Sequence, residues 1–183
     1  MSSIRSARFL AASTCLRILL TPVIMAMLMA DADRWATAVL FAIAAATDWI
    51  DGYLARRWEV TTKLGSFLDT TADKLLVTGV LIALVGADRV SPWIVAIIVG
   101  RELIILGLRG VVAVDGAVMQ PSIWGKLKTT IQFVAILLAI LRPGEPIAGQ
   151  YLDEWVMLAA AFITVMSAAD YLQRFAPALT GRE

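Results

Sequence analysis

Six long apolar stretches run through this sequence, and the charges on each gather toward one end. The uncharged runs are 18–30, 35–47, 75–87, 90–100, 129–141 and 155–169. At about 1.5 Å per helical residue they cover only some 17–22 Å. The hydrocarbon core of a bilayer is about 30 Å thick. Membrane-spanning helices near 10–29, 35–56, 64–85, 92–112, 123–141 and 154–174 must therefore carry ionisable groups in their remaining thirds. Those groups are Arg17, Asp48, Asp51, Asp69, Asp73, Lys74, Arg101, Glu102, Arg109, Lys126 and Lys128. Charge at that depth is costly and must face a cavity or another charge. The expectation is an all-α, polytopic membrane protein with six transmembrane helices and one polar chamber open on one side.

Composition agrees. Hydrophobic residues make up 60% of the 183 positions, against about 45–50% in a soluble domain. The whole chain, 1–183, is expected to form a single transmembrane domain, with the short basic segment 2–8 lying on the membrane surface. A net charge of +1 gives no field to recruit nucleic acid. Cys15 is alone, so no intrachain disulfide can form, and it reads as a small buried thiol. Histidine is absent, so acid–base or metal chemistry has to run on carboxylates, lysine, tyrosine or the lone thiol.

Three arginines, Arg34, Arg89 and Arg142, fall in one set of connections. The other thirteen of the 16 lysines and arginines lie on the opposite side. That asymmetry puts both termini and the chamber in the cytoplasm, with the chain multi-pass in a bacterial-type cell (inner) membrane. A transport path needs polar groups through the whole thickness, and the outer halves have almost none. A divalent-cation transporter is thereby the weaker alternative.

Asp48 and Asp51 are three residues apart, and Asp69 and Asp73 are four apart. Each pair shares a helix face. The short segment between the second and third helices places both pairs at one level, where they can converge. Four carboxylates together repel unless protonated or metal-bound. Oxygen ligands suit Mg²⁺, Mn²⁺ or Ca²⁺, and two such ions could clamp a diphosphate. Gly52 and Gly65 allow close approach of a ligand, and Arg56 can donate to a phosphate.

Asp48-Trp-Ile-Asp51-Gly52-Tyr-Leu-Ala55-Arg56, followed after eight residues by Gly65, then Asp69 and Asp73, resembles the signature of the CDP-alcohol phosphotransferase family. Every fixed position is met. The resemblance implies six transmembrane helices, a homodimer, and a cytoplasmic site with two Mg²⁺ or Mn²⁺ ions. It implies metal ligation by Asp48, Asp51, Asp69 and Asp73, with Asp69 and Asp73 catalytic and Asp73 the base for the attacking hydroxyl. It also implies contacts to the CDP group by Asp48, Gly52, Ala55, Arg56 and Gly65.

The signature fixes the donor, CDP-diacylglycerol, and leaves the acceptor to the remaining charges. Arg101 and Arg109 are two turns apart on one face of the fourth helix, with Glu102 beside the first. Gly125-Lys126-Leu127-Lys128-Thr129-Thr130 opens the fifth helix and offers cations and backbone N–H groups to an anion. These extra cations suit an acceptor that brings its own phosphate. The same segments, with Thr14 and Arg17 as further candidates on the first helix, are similar to the branch of the family that makes phosphatidylglycerol phosphate. They imply glycerol 3-phosphate as acceptor, bound by Arg101, Arg109, Lys126, Lys128 and Thr129. The alternatives within the same chemistry are phosphatidylglycerol, giving cardiolipin, and inositol phosphate.

Overall fold

The computed structural model describes residues 2–58, 63–114, 123–146 and 149–180. The side chains of 2–10, 48–49, 52–58, 63–64, 66, 113–114, 123, 126 and 175–180 fall outside that description. Six helices follow in order: α1 (Ser2–Met29), α2 (Arg34–Trp58), α3 (Lys63–Gly86), α4 (Pro92–Val114), α5 (Ile123–Leu141) and α6 (Leu152–Thr180). No strand occurs among the described residues. The all-α expectation and the position of each helix are borne out. Residues 2–8 form the first turns of α1, continuous with it.

Two segments, Ala11–Met29 and Leu152–Arg174, are long and apolar enough to cross a membrane by length and composition alone. Arg34–Thr47 and Leu127–Leu141 are shorter apolar stretches whose helices continue into charged ends. Large apolar side chains stand exposed on every helix, among them Leu19, Trp35, Phe67, Trp93, Leu127 and Phe162. Cys15 is also exposed, which corrects its reading as a buried thiol. It sits on α1 beside the exposed Leu16, away from the face that carries Thr14 and Arg17.

The chain forms two compact units, Met1–Arg89 and Val90–Glu183. In the first, α1 packs against both α2 and α3, and α2 touches α3 only sparsely. Ile24, Leu28, Phe41, Leu76, Val80 and Leu84 fill its core. The approach of α1 to α3 depends on missing side chains. A Cβ on Gly79 would lie 2.9 Å from both Met25 Sδ and Thr21 Cγ2, and one on Gly86 would lie 2.8 Å from Met29 Sδ. Glycine at these two places lets the thioethers rest on bare backbone.

Both α1 and α3 end in the same way. Asp31 (φ 47°) and Asp88 (φ 53°) take the left-handed conformation that short polar residues tolerate. The next amides, of Ala32 and Arg89, then bond back to Met27 and Leu84 at 2.9 Å, satisfying carbonyls the helix leaves open. Asp33 caps α2, its Oδ1 accepting from the Ala36 amide at 2.7 Å. Arg89 donates to Asp31 at 3.0 Å, which ties the two helix ends together.

In the second unit, α6 packs against α4 and α5 around Ile98, Ile136, Ile140 and Met157. Arg142, after α5, lies 3.3 Å from Glu154 at the start of α6, with its guanidinium 4.3 Å from the Tyr151 ring centroid.

Candidate active site

The acidic site is built in the first unit. Asp51 on α2 is buried, and Asp69 and Asp73 lie one turn apart on α3. Because α1 runs against both helices, its one charged residue inside the apolar run meets both acids. Arg17 is fully buried and donates from Nη2 to Asp51 Oδ2 at 3.1 Å and from Nη1 to Asp69 Oδ1 at 3.3 Å. Thr14, one turn earlier on α1, is buried as well. Asp73 pairs with its neighbour Lys74 at 3.0 Å. Gly65 is half-buried, two turns from Asp73. The side chains of Asp48, Ala55 and Arg56, and Gly52 with them, lie outside the described residues.

Two carboxylates from different helices thus converge on one cationic point, with a third a turn away. Among the described residues no three carboxylates or thiols surround a common centre. Asp51 and Asp69 share Arg17 because α1 packs against both α2 and α3. The donor set is nonetheless all oxygen and anionic. Two carboxylates that already hold one cation between them fit a hard divalent ion, the class for which oxygen ligands are suited. Arg17 was only a further candidate in the sequence. Its place as the link between Asp51 and Asp69 comes from the packing of α1.

The second unit gathers the remaining cations. Glu102 Oε1 accepts from both Arg101, at 3.2 Å, and the buried Lys128. Arg101 also donates to Ser167 Oγ at 2.6 Å. Arg109 donates to the Tyr171 hydroxyl at 2.7 Å. Arg101, Glu102, Arg109 and Lys128 therefore belong to one network across α4, α5 and α6. Thr129 does not join it: it is exposed, and its hydroxyl bonds back to the Gly125 carbonyl of its own helix. The Lys126 side chain lies outside the described residues. Ser167 and Tyr171 were missed in the sequence. Their signal was a polar stripe on an apolar helix, Thr164, Ser167 and Tyr171 at i, i+3 and i+7, all buried on one face of α6.

Residues 11–166 match the CDP-alcohol phosphatidyltransferase family. The chain belongs to that family. As a CDP-alcohol phosphatidyltransferase it has bacterial relatives along most of its length. A CDP-diacylglycerol–glycerol-3-phosphate 3-phosphatidyltransferase of Bacillus subtilis is 38% identical over 177 residues, covering 88% of this chain and 91% of the relative. Proteins of the same name from Sodalis glossinidius and Escherichia coli K12 are 40% and 38% identical. The first match covers 76% of this chain and 79% of the relative, the second 87% and 90%. The family match takes in Arg17, the four aspartates, Arg101, Arg109 and Lys128. Ser167 and Tyr171 fall just beyond it.

Proposed function

We infer that this CDP-alcohol phosphatidyltransferase moves a phosphatidyl group from CDP-diacylglycerol to sn-glycerol 3-phosphate, giving phosphatidylglycerol phosphate and CMP. The observation that carries the reading is that bacterial relatives 38–40% identical over most of this chain bear the name of that one reaction. The extra cations Arg101, Arg109 and Lys128 support it, because an acceptor bringing its own phosphate needs them.

In this reading the hydroxyl on carbon 1 of glycerol 3-phosphate attacks the phosphorus that bears the diacylglycerol. A new P–O bond forms there, the bond from that phosphorus to the CMP oxygen breaks, and CMP leaves with the electron pair. Asp73 takes the proton of the attacking hydroxyl. Its Oδ2 accepts from Lys74, and among the described residues its Oδ1 has no partner. One oxygen is thus oriented by the lysine and the other is open to the proton. Asp48, Asp51, Asp69 and Asp73 would hold two Mg²⁺ or Mn²⁺ ions, which supply neutralisation of the diphosphate charge. Gly52, Ala55, Arg56 and Gly65 would contact the CDP group. Arg101, Arg109, Lys126, Lys128 and Thr129 would contact the acceptor's phosphate, although Thr129 must first release Gly125.

The same reading places six helices across a bacterial cell membrane, with termini and chemistry on the cytoplasmic side. The exposed apolar side chains and the lopsided lysine and arginine distribution support it. The family resemblance adds a homodimer.

The test is CMP release by purified protein given CDP-diacylglycerol, a panel of acceptors, and Mg²⁺ or Mn²⁺. Release should require glycerol 3-phosphate, stop with chelator, and return with either metal. Asp73→Asn should abolish it in properly inserted protein. Release with phosphatidylglycerol or inositol phosphate instead would keep the donor and overturn the acceptor. Wild-type turnover in Asp73→Asn would remove Asp73 as the base.

A further inference from the structure

Two cations of the second unit meet at an aromatic ring. Tyr171 is buried to 1% exposure, and both arginines of α4 lie against it. The Arg101 guanidinium carbon is 5.6 Å from the ring centroid and that of Arg109 is 5.4 Å. The hydroxyl of the same tyrosine accepts from Arg109 at 2.7 Å. Arg101 and Arg109 sit two turns apart, about 12 Å along the helix axis. One ring on α6 thus contacts both arginines of α4.

Arg101 is held from several sides. Nη1 meets Glu102 and Nη2 meets Ser167. Nε is buried and has no acceptor among the described residues. Arg109 is exposed, and its one contact among the described residues is with Tyr171. Arg101 and Lys128 both meet Glu102, and Arg109 pairs with no carboxylate among the described residues. A network serving structure alone tends to balance its buried charge, because unpaired charge is strongly destabilising. Here Arg109 has no carboxylate among the described residues and a buried donor of Arg101 is unused. Both features suit an anion supplied from outside, such as a phosphate monoester.

We propose that Tyr171 and Ser167 are positioning residues that hold Arg101 and Arg109 as one seat for the phosphate monoester of the acceptor. The ring faces attract both guanidinium groups. The tyrosine hydroxyl fixes the orientation of Arg109, and the serine hydroxyl that of Arg101. This rests on the reading that Arg101 and Arg109 bind the acceptor's phosphate, and the experiment separates the two claims.

Steady-state KM values for glycerol 3-phosphate and for CDP-diacylglycerol are measured for Tyr171→Phe, Tyr171→Leu, Ser167→Ala, Arg101→Ala and Arg109→Ala. Melting temperature in detergent reports folding. Tyr171→Phe keeps the ring and loses the hydroxyl. It should raise the glycerol 3-phosphate KM about tenfold, the scale of one hydrogen bond to a charged group. Ser167→Ala should do the same on a smaller scale. The CDP-diacylglycerol KM and the melting temperature should hold. Tyr171→Leu should go further than Tyr171→Phe; if it does not fold, Tyr171→Phe decides. A selective rise in both arginine variants with none in Tyr171→Phe or Ser167→Ala overturns the positioning roles and leaves the acceptor reading intact. Equal rises in both KM values for Tyr171→Phe overturn them too. No selective rise in either arginine variant removes the phosphate seat altogether.

Discussion

The guanidinium of Arg17 donates to Asp51 at 3.1 Å, and Arg17 is wholly buried while Asp51 keeps 6% of its side-chain surface. A charge pair this enclosed acts differently from one at the surface. Its desolvation has already been incurred, so removing Arg17 leaves the buried Asp51 without its cation. The second arm of Arg17, to Asp69, is weaker support, because the Asp69 side chain is 39% exposed and its charge is screened.

Arg17→Leu should therefore destabilise the protein by about 3–5 kcal/mol, the usual cost of stranding a buried charge. The double variant Arg17→Leu/Asp51→Leu should recover most of that loss while remaining inactive. Thermal unfolding of purified protein in detergent checks both. Equal melting temperatures for wild type and Arg17→Leu would show that the pair contributes nothing to stability.

Glu102 pairs with both Arg101 and Lys128. Glu102→Gln leaves two buried cations facing a neutral amide, so the melting temperature should fall by the equivalent of about 3 kcal/mol. Adding Lys128→Met should restore part of it, because one of the stranded charges is then gone. A double variant no more stable than Glu102→Gln would show that Lys128 does not depend on Glu102.

Gly79 lets α1 and α3 touch. Gly79→Val places branched methyls where Thr21 and Met25 already lie. Thr21 is stiff, so the strain cannot all pass into a flexible chain end. A destabilisation of about 1–3 kcal/mol is expected, read as a lower melting temperature. Gly107→Ala, on α4, meets no atom within 4 Å and should not lower it.

Much of the fold was legible because its signals are local. Apolar length and the Pro, Gly and Asp breaks gave six helices close to their observed bounds. The aspartates were legible because their i, i+3 and i, i+4 spacing lies within single helices. What the sequence could not give was the partner across space. Nothing in the residues around Arg17 says that α1 packs against both α2 and α3, so the first helix stood as a secondary candidate. Asp51 and Asp69 do come together, at that arginine. Tyr171 was hidden for the same reason. It lies 62 positions from Arg109 along the chain, and only the packing of α6 on α4 joins them. Thr129 gave no sign in the sequence of its local bond, in which its hydroxyl donates to the Gly125 carbonyl one turn back.

The seam between α1 and α3 is closed by sulfur resting on glycine. A thioether is the apolar side-chain group that mild oxidants readily turn polar and bulkier. Met25 touches the Gly79 position on the helix pair that carries Arg17 and Asp69, so a sulfoxide there would bring an added oxygen and a strong dipole into a contact with little room beside the backbone. Peroxide in an aged detergent stock should then lower the activity of this protein, and a methionine sulfoxide reductase able to reach that seam should restore it.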